Sequence, residues 1–471
     1  MNQLDAASLV RAGRQVREPF QLSLNLTSGA ATMSVRKVHR LLPGKRIVAL
    51  AEDASGPLLI KVFVGRFAGR YARRERQGAE AIADAGVPTP GFRWQASLQS
   101  GGGYVLAFDY LEHARNLIDE WEEADSREAR IALIAGVMPV LARLHEAGVV
   151  QNDIHPENFL MNQGEIFTID GGDVTRHSTG PLSESASLEN LALFFAQFRA
   201  AYDDLLPEAL ARYEETRDWP TDVDRLGRLV EAVIAKREKR KNDYIDKAFR
   251  ECTRFSCRRS FTRFEVCERS FDSPAMRDFL KDLDGAIARG HLLKDGHSAT
   301  VARVDSPCGP LVVKRYNIKN GWHRLRRMFR RSRAWVSWAN SHRLDFLGIK
   351  TVKPVALVEE RFGPLRSRAF FVTEYVHAPD ASTLEEPMED QVRAIVDLLK
   401  SLSMAGVSHG DLKATNLLLS DEGAVIVDLD SMTEHADADK RRTAQKRDLE
   451  RFLKNWEFNP SLEQRFTDLL E

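Results

Sequence analysis

The sequence predicts an α+β protein of two tandem domains, each with a small β-rich N-lobe followed by a helical C-lobe. Two observations predict this fold class. A set of polar residues occurs twice, and each occurrence is preceded by strand-like and then helical sequence. The equivalent residues lie 258 positions apart: Asp153 and Asp411, Asn158 and Asn416, and Asp170 and Asp428. A repeat of this length indicates two whole domains and not a solenoid.

The elements of the first domain follow from the spacing of its apolar residues. In order, they are strands over 38–63, a helix over 68–85, a connecting strand over 103–112, a helix over 127–147 and helical sequence over 207–248. We therefore place the first domain at residues 1–245.

The second domain repeats this order. It has hairpin strands to Tyr316, a helix ending at Leu347, a connecting strand over 369–376, a helix over 388–404, and a final helix over 447–456 with a short tail. We place it at residues 246–471.

A loop in the second domain carries residues typical of phosphoryl transfer. Residues 409–416 read His-Gly-Asp-Leu-Lys-Ala-Thr-Asn, and Asp428 follows an apolar strand twelve residues after Asn416. This is the protein-kinase-like arrangement of a catalytic loop followed by a metal-binding aspartate. Such chemistry needs a positioned hydroxyl, a metal on the phosphates and neutralised charge. We expect Asp411 to accept the proton of the acceptor hydroxyl and Lys413 to lie near the transferring phosphate.

Oxygen-bearing side chains of the same motif predict a Mg²⁺ site, because this small, hard cation prefers oxygen ligands. We expect Asn416 and Asp428 to bind it, with Asp430 as a candidate second carboxylate. The equivalent residues of the first domain are Asp153 as the catalytic aspartate and Asn158 and Asp170 as metal ligands.

A lysine near the end of an N-lobe strand precedes each loop. Lys61 and Lys314 lie 92 and 97 residues before the catalytic aspartates, which fits the lysine that pairs with the α- and β-phosphates of ATP. Glu75, on the predicted helix over 68–85, is expected to anchor Lys61. The second domain offers no acid at this register, and only Asn340 or Asp345 could substitute.

The glycine-rich part of a kinase nucleotide site is the weakest match. Gly44 and Gly296 stand where a hairpin covering the phosphates is expected, but neither belongs to a G-x-G-x-x-G run. A single glycine at a hairpin is more often a turn residue. If phosphates bind here, backbone amides and neighbouring side chains must cover them.

The two loops differ beside the reacting atoms. The first domain has Gln151 in place of the loop histidine, and His155 where the second domain has Lys413. The departure in the second domain concerns the group that anchors Lys314, away from the transferring phosphate. We therefore expect the second domain to be the catalyst.

Length and composition are those of an ordinary globular protein. The chain has 471 residues, 43% of them hydrophobic and 29% charged, with zero formal net charge. No apolar run reaches the roughly 20 residues of a membrane-spanning helix, and the first twenty residues show no secretory signal, so we expect a cytoplasmic protein. The four cysteines lack the spacing of a zinc site.

One segment is strongly basic. Lys319–Arg333 combines seven lysines and arginines with apolar residues at helical spacing and contains no acid. It is either a solvated helix face or a contact surface for a polyanion, such as a phosphorylated glycolipid or the anionic inner leaflet. Without a recognisable nucleic-acid motif, we do not expect nucleic acid as its partner.

Together these stretches resemble the bacterial lipopolysaccharide core kinases, which phosphorylate heptose or Kdo sugars, in two tandem copies. The segments that carry the likeness are 40–46 and 61–63 in the first half, and 313–317, 333–335, 347–351 and 411–428 in the second. The resemblance implies ATP, Mg²⁺, a lipid-linked core oligosaccharide as acceptor, and a location at the cytoplasmic face of the inner membrane.

Two alternatives remain open at this point. The chain could phosphorylate a protein or a small metabolite, since the loop motif is shared across the superfamily. It could instead be a pair of pseudokinases that form a scaffold in envelope assembly. Which sugar hydroxyl is phosphorylated, whether one or both domains are active, how the domains pack and the oligomeric state do not follow from the sequence.

Overall fold

The computed structural model describes residues 2–26, 29–100, 102–296, 298–317, 330–384 and 388–470. The chain divides into two compact units, Met1–Glu238 and Lys239–Glu471. The division lies inside helix Arg225–Lys247, ahead of the expected boundary at residue 245. Since helical periodicity continues through both positions, the sequence carries no marker of this division.

Seven strands form the sheet of the first unit. In spatial order they are Asn2–Leu4, Phe20–Leu26, Gly29–Leu42, Arg46–Asp53, Gly56–Phe63, Tyr104–Asp109 and Phe92–Leu98. The last strand also pairs with Phe20–Leu26, so six of the strands close on themselves. In Arg46–Asp53 the alternate residues Ile47, Ala49 and Ala51 are buried, as expected when one face of a strand covers a core.

Helix Ala68–Asp84 presents one buried face with a single charged residue in it. Ala68, Ala72, Glu75, Ala79 and Ile82 are buried at helical spacing. A buried carboxylate in an otherwise apolar stripe requires a partner, so this helix is fixed to a charged site as well as to a core.

The rest of the first unit is mainly helical. Besides helix Ala6–Ala12, it contains helices Leu117–Glu123, Arg127–Glu146, Glu184–Phe195 and Leu206–Thr216, and it ends within helix Arg225–Lys247. They enclose a core that includes Val137, Leu141, Leu191 and Phe194. The helical sequence expected over 207–248 is interrupted, and Pro220, which cannot donate a backbone hydrogen bond, lies in the break.

The second unit also contains a seven-stranded sheet, and all of its neighbouring strands are antiparallel. In spatial order they are Phe255–Arg259, Arg263–Glu268, Pro354–Phe362, Leu365–Glu374, Gly309–Tyr316, Ala299–Ser306 and His291–Asp295. Helices Pro274–Lys281, Leu283–Arg289 and Arg333–Leu347 belong to this region.

Three helices complete the second unit: Glu389–Met404, Ala438–Leu453 and Pro460–Leu470. They surround a core with Leu402, Phe452, Trp456 and Phe466. The expectation of one helix over 447–456 with a short tail is wrong. Asn459 accepts the N–H of Leu462 at 3.3 Å, and Pro460 stands at the first helical position, a start signal for the last helix.

In both units, helices and strands are therefore combined, which confirms the α+β class. Among the described residues, no helix has both the length and the apolar character needed to cross a bilayer.

Candidate active site

The loop that carries Asp411 is tied to the strand before Asp428. Asn416 donates from Nδ2 to the carbonyl oxygen of Asp411 at 2.8 Å. The N–H of Val427 donates to the carbonyl oxygen of Asn416 at 2.9 Å, and His409 Nε2 donates to that of Val427 at 3.0 Å. The expected base and the expected metal ligand therefore belong to one hydrogen-bonded substructure.

The first unit repeats this arrangement with glutamine in place of histidine. Asn158 donates from Nδ2 to the carbonyl oxygen of Asp153 at 2.8 Å, and the N–H of Ile169 donates to that of Asn158 at 2.9 Å. Gln151 donates from Nε2 to the carbonyl oxygen of Ile169 at 3.0 Å. Because an amide N–H replaces an imidazole N–H at the same acceptor position, the substitution preserves the loop.

Asp411 is flanked by two cations. Lys413 Nζ and Arg451 Nη1 each lie 3.0 Å from Asp411 Oδ1. In the register of the repeat, the first unit has His155 in place of the lysine and Leu193 in place of the arginine. The aspartate of the second unit is thus the one that has two basic side chains against it.

A carboxylate that was not predicted from the sequence, Asp448, binds the backbone of the second loop. Asp448 accepts the backbone N–H groups of His409 and Gly410, the latter at 2.9 Å. Burial raises the pKa of Asp448, although both hydrogen bonds favour its charged form. Asn190, 258 positions earlier, instead donates to the carbonyl oxygen of Gln151 at 3.0 Å. The repeat spacing of 258 residues, which pairs Asp448 with Asn190, was the sequence feature that could have identified Asp448.

Charged side chains converge around Lys61 in the first unit. Its Nζ pairs with Glu75 Oε1 and lies 3.3 Å from Asp170 Oδ1. Arg46 Nη1 lies 3.1 Å from Asp170 Oδ1 and 3.8 Å from Glu75 Oε2. The Glu75 side chain is 1% exposed, so its burial depends on these cations. Burial opposes the charged form of Asp170, but Lys61 and Arg46 hold the pKa of Asp170 below its usual value.

The helix that carries Glu75 also approaches the metal loop through its backbone. The N–H of Gly171 donates to Glu75 Oε1 at 3.0 Å. A Cβ built on Gly78, one turn further along the helix, would lie 1.8 Å from the carbonyl oxygen of Gly171. Only glycine fits at position 78 without displacing the helix.

A similar group of charges surrounds Lys314 in the second unit. Its Nζ pairs with Asp428 Oδ1 and lies 3.1 Å from Asp430 Oδ2. Arg333 Nη2 lies 2.7 Å from the same oxygen of Asp430, whose side chain is 3% exposed. Burial opposes the charged form of Lys314, but Tyr316, Asp428 and Asp430 together raise the pKa of Lys314.

The acid beside Lys314 comes from an element that was not expected to supply it. Asn340 donates to two backbone carbonyl oxygens, and Asp345 lies 3.1 Å from Arg254, so neither substitutes for the helix glutamate. Asp430, interpreted from the sequence as a candidate second metal ligand, makes an ion pair with Lys314, as Asp428 does.

Gly44 and Gly296 both lie in hairpin turns. Gly44 has φ 66° and is followed closely by Arg46, the arginine of the Lys61 cluster. The N–H of Gly296 donates to the carbonyl oxygen of Ala299 at 3.1 Å. Arg333 Nη1 lies 3.5 Å from the carbonyl oxygen of Ser298 in the same turn. Each turn is therefore next to the arginine of its unit's lysine cluster.

The two aspartates of the metal loops share a rare backbone conformation. Asp170 has φ 67° and Asp428 has φ 63°, both in the left-handed region. Non-glycine residues there are uncommon and concentrate at functional sites. Because this conformation occurs at equivalent positions of both units, it marks Asp170 and Asp428 as candidate functional residues.

A cleft of about 220 Å³ opens beside the lysine cluster of the first unit. It is lined by Leu42, Lys45, Arg46, Phe63, Tyr71, Arg74, Glu75, Gly172 and Asp173. Its charged lining has three basic side chains and two acids, and Arg46 and Arg74 lie within ion-pair distance of those acids.

The chemistry of the donor set fits a magnesium nucleotide. No group of three or more His, Cys, Asp or Glu side chains forms a metal site within the described ranges. Mg²⁺ often takes only one or two protein ligands and completes its shell with phosphates and water. Asp428 offers carboxylate oxygens, and Asn416 uses its Nδ2 on Asp411, which leaves its amide oxygen for a cation.

Most of the basic segment Lys319–Arg333 lies outside the described residues, which resume at Arg330. Arg330 and Arg331 are exposed, and the carbonyl oxygen of Arg330 accepts a hydrogen bond from Arg366 at 3.1 Å. The segment therefore ends beside a second arginine-bearing strand.

Residues 298–470 match the model of the Lipopolysaccharide kinase (Kdo/WaaP) family. The matched residues include Lys314, Asp411 and Asp428, and the resemblance to lipopolysaccharide core kinases is confirmed over this part. The first unit lies outside the match.

The chain is also similar to the EKC/KEOPS complex subunit bud32 of Aspergillus oryzae, at 26% identity over 217 residues, which cover 40% of this chain and 79% of that protein. Together, the matches identify the chain as a phosphotransferase of the kinase class. Kinases of this class use ATP and typically a divalent metal.

Proposed function

We propose that the chain uses ATP to phosphorylate a sugar hydroxyl of the lipopolysaccharide core, on heptose or Kdo, and that the second unit is the catalyst. One observation carries this proposal: the charged groups around Asp411 and Lys314 lie within the residues that match the lipopolysaccharide kinase family. In the first unit, His155 and Leu193 stand at the register of the lysine and the arginine that flank Asp411.

Asp411 is the group proposed to orient the acceptor hydroxyl. As the acceptor oxygen bonds to the γ-phosphorus and the bond to the β,γ-bridging oxygen breaks, the hydroxyl proton passes to the Asp411 carboxylate and ADP leaves. Lys413, at 3.0 Å from Asp411, would neutralise charge on the transferring phosphate. Arg451 holds Asp411 from the other side and acts as a positioning residue.

Lys314 and Gly296 are proposed to bind the nucleotide, and Asn416 and Asp428 the Mg²⁺. Bound Mg²⁺ would neutralise the phosphate oxygens and orient them for transfer. Asp430 and Arg333 keep Lys314 in place, because a buried ammonium needs a nearby carboxylate.

Each unit is further proposed to be a protein-kinase-like bilobal domain. The first would bind nucleotide through Lys61, Glu75 and Gly44 and metal through Asn158 and Asp170. Its catalytic aspartate, Asp153, lies in an intact loop, and we propose that this domain binds or stabilises without supplying the main transferase activity.

The proposed acceptor is a lipid-linked core oligosaccharide, which places the enzyme at the cytoplasmic face of the inner membrane. The basic residues of Lys319–Arg333 would contact the anionic glycolipid or the leaflet around it. No role for nucleic acid is proposed.

The proposal is tested by incubating the purified chain with γ-labelled ATP and dephosphorylated core glycolipid, then locating the label by mass spectrometry. Label on a heptose or Kdo hydroxyl is expected with the wild type and not with the Asp411→Ala variant. A soluble sugar, a metabolite mixture and a protein substrate serve as competing acceptors.

Transfer to a soluble compound or a protein in the absence of lipid would replace the glycolipid by another acceptor. If Mg·ATP neither binds nor raises the unfolding temperature, and Asp428→Asn behaves as wild type, the chain is a pseudokinase scaffold. Both outcomes contradict the proposed activity.

A further inference from the structure

Two hairpin turns of the second unit lie side by side at one end of its sheet. One connects Phe255–Arg259 to Arg263–Glu268, and the other connects Pro354–Phe362 to Leu365–Glu374. The N–H of Gly363 donates to the carbonyl oxygen of Phe261 at 2.9 Å, which joins the turns. They therefore form one rigid end of the sheet.

Each turn presents a phenylalanine to solvent. Phe261 is 61% exposed and Phe362 is 66% exposed. Their rings are 4.8 Å apart between centroids in an edge-to-face arrangement. An isolated exposed apolar residue needs no explanation, but two exposed aromatic rings in contact at one end of a sheet indicate an interaction site. We call this pair the aromatic tip.

A groove rich in arginine adjoins the aromatic tip. Its charged lining comprises Arg263, Arg361, Arg366, Arg368 and Glu360. Arg361 and Arg366 share the fully buried Glu359, so two positive charges meet one negative charge. Arg263 pairs with Glu265, and Arg368 pairs with Glu360 and Asp284. Because four arginines and one acid line the groove itself, its lining is mainly basic and suits an anionic surface.

Arg330 and Arg331, described residues of the basic segment, adjoin this groove. Arg366 donates to the carbonyl oxygen of Arg330, the first described residue after the gap. Arg330 and Arg331 are exposed and add two further positive charges beside the groove. Aromatic rings next to clustered basic side chains are the combination that binds at the interface of an anionic bilayer.

We infer that the aromatic tip and the arginine groove dock the second unit onto a bilayer containing anionic phospholipid. Phe261 and Phe362 enter the headgroup region, and the arginines contact lipid phosphates. This surface is formed by residues other than the proposed catalytic and nucleotide-binding groups. Because its test measures vesicle binding and not phosphate transfer, its failure would leave the proposed function intact.

The test is co-sedimentation of the full chain with vesicles of phosphatidylcholine alone or mixed with phosphatidylglycerol. The wild type is expected to bind the mixed vesicles and to be released by salt. The double variant Phe261→Ser and Phe362→Ser should bind about tenfold more weakly, because it loses apolar insertion. Arg366→Gln with Arg368→Gln should lose much of the preference for phosphatidylglycerol.

Phe458 provides a matched control, since it is 71% exposed in the same unit but lies outside the two turns. Phe458→Ser should bind vesicles as the wild type does. Thermal unfolding verifies that the variants are folded, including Arg366→Gln, which takes one of two arginines away from the buried Glu359. Phe362→Trp should add blue-shifted emission on vesicle binding, whereas Phe458→Trp should not.

Several outcomes would overturn the inference. They are no binding of the wild type to mixed vesicles, equal binding to both vesicle types, wild-type binding by the double phenylalanine variant, or binding without a spectral change at position 362. The last two results would assign membrane contact to another surface, such as the rest of Lys319–Arg333.

Discussion

The lysine clusters of the two units contain the same kinds of charge, but different elements supply them. In the first unit, the helix after the strand gives the acid, Glu75, and a strand gives the arginine, Arg46. In the second, the metal loop gives the acid, Asp430, and the helix gives the arginine, Arg333. A lysine, a metal-loop aspartate, a further acid and an arginine can therefore be assembled by two routes.

The catalytic loops show the opposite relation, because the framework is shared and the neighbouring charges differ. Both loops have the same backbone bonds to the strand before the metal aspartate. Lys413, Arg451 and Asp448 surround the loop of the second unit, with His155, Leu193 and Asn190 at the same register in the first. An intact loop is thus insufficient evidence of an active copy.

The strongest test of the difference between the two loops replaces each loop aspartate by alanine in a separate variant. Asp411→Ala should lower phosphate transfer by about 100- to 10,000-fold, because it removes the group that accepts the hydroxyl proton. Asp153→Ala should retain nearly wild-type activity. Transfer of labelled phosphate to core glycolipid is the measurement, with unfolding temperature as the folding control. The reverse ranking would make the first unit the catalyst.

Removing the second acid from each lysine cluster should destabilise the unit that contains it. Glu75→Gln and Asp430→Asn should each cost about 3 kcal/mol of unfolding free energy, because buried cations lose a partner. Hydrogen exchange of peptides from each unit measures where stability is lost. Glu80→Gln, at an exposed pair with Arg76, should change stability by less than about 0.5 kcal/mol. Equal effects of Glu75→Gln and Glu80→Gln would contradict the comparison.

A buried histidine in each unit should make stability fall in acid. Burial lowers the pKa of His145 to about 4 and that of His342 to about 3. The unfolded chain binds these protons near pH 6.5, whereas the folded chain does not. The contribution to stability is therefore complete above about pH 6.5 and is lost as pH falls toward 4, by about 1–3 kcal/mol per histidine.

The two histidines differ in their partners, so their variants should differ as well. His145 bonds to Tyr213 at 2.8 Å and Asn190 at 2.9 Å. In the part of the chain that the structure describes, neither ring nitrogen of His342 has a hydrogen-bond partner. His342→Leu should reduce the acid sensitivity of the second unit at little cost at pH 7. His145→Leu should destabilise the first unit at every pH. Chemical unfolding between pH 4 and 7 measures both, and unchanged pH dependence in His342→Leu would contradict the assignment.

Asp448→Asn converts the support of the second loop to the residue found in the first. Asp448 accepts the two N–H groups with its two oxygens, whereas asparagine has only one acceptor oxygen. The kcat should therefore fall about tenfold with KM for ATP unchanged. Asn190→Asp should destabilise the first unit, because a carboxylate would face the carbonyl oxygen of Gln151. Steady-state kinetics and unfolding measure the two effects. A rise in KM alone would assign Asp448 to nucleotide binding.

Arg451→Leu, which copies Leu193, should give the smallest effect. The ion pair with Asp411 is half exposed, so stability should change by less than about 0.5 kcal/mol. Transfer should slow about two- to fivefold through poorer positioning of Asp411. Arg451→Lys should recover part of the rate. An unaltered rate in Arg451→Leu would show that the arginine is not a positioning residue.

Much of the site could be predicted because its residues lie at short, fixed spacings along the chain. The spacing from Asp411 to Asn416 and Asp428 was readable along the chain, and the same spacing in the first half revealed the repeat. Glu75 could be placed opposite Lys61 because a helix with one buried face follows that strand. Their catalytic and binding roles stay predictions.

The residues that the sequence did not reveal act across long separations. Asp448 reaches the loop from a later helix, and no local pattern distinguishes it from an exposed helix carboxylate. The ion pair of Asp430 with Lys314 was not predicted, because a position two residues after Asp428 does not tell which cations the side chain meets. The last helix was overlooked although Asn459 and Pro460 are a recognisable start signal. The helical run through residue 245 concealed the division at Glu238.

The contact between Gly78 and Gly171 restricts the movement of helix Ala68–Asp84 against the loop after Asp170. With backbone against backbone, the helix has no compressible side chain through which to tilt or slide. The counterpart in the second unit is held by hydrogen bonds from Asn340, which can break and re-form. We therefore expect the helix of the first unit to move less relative to its neighbouring loop than the helix that carries Asn340 in the second unit.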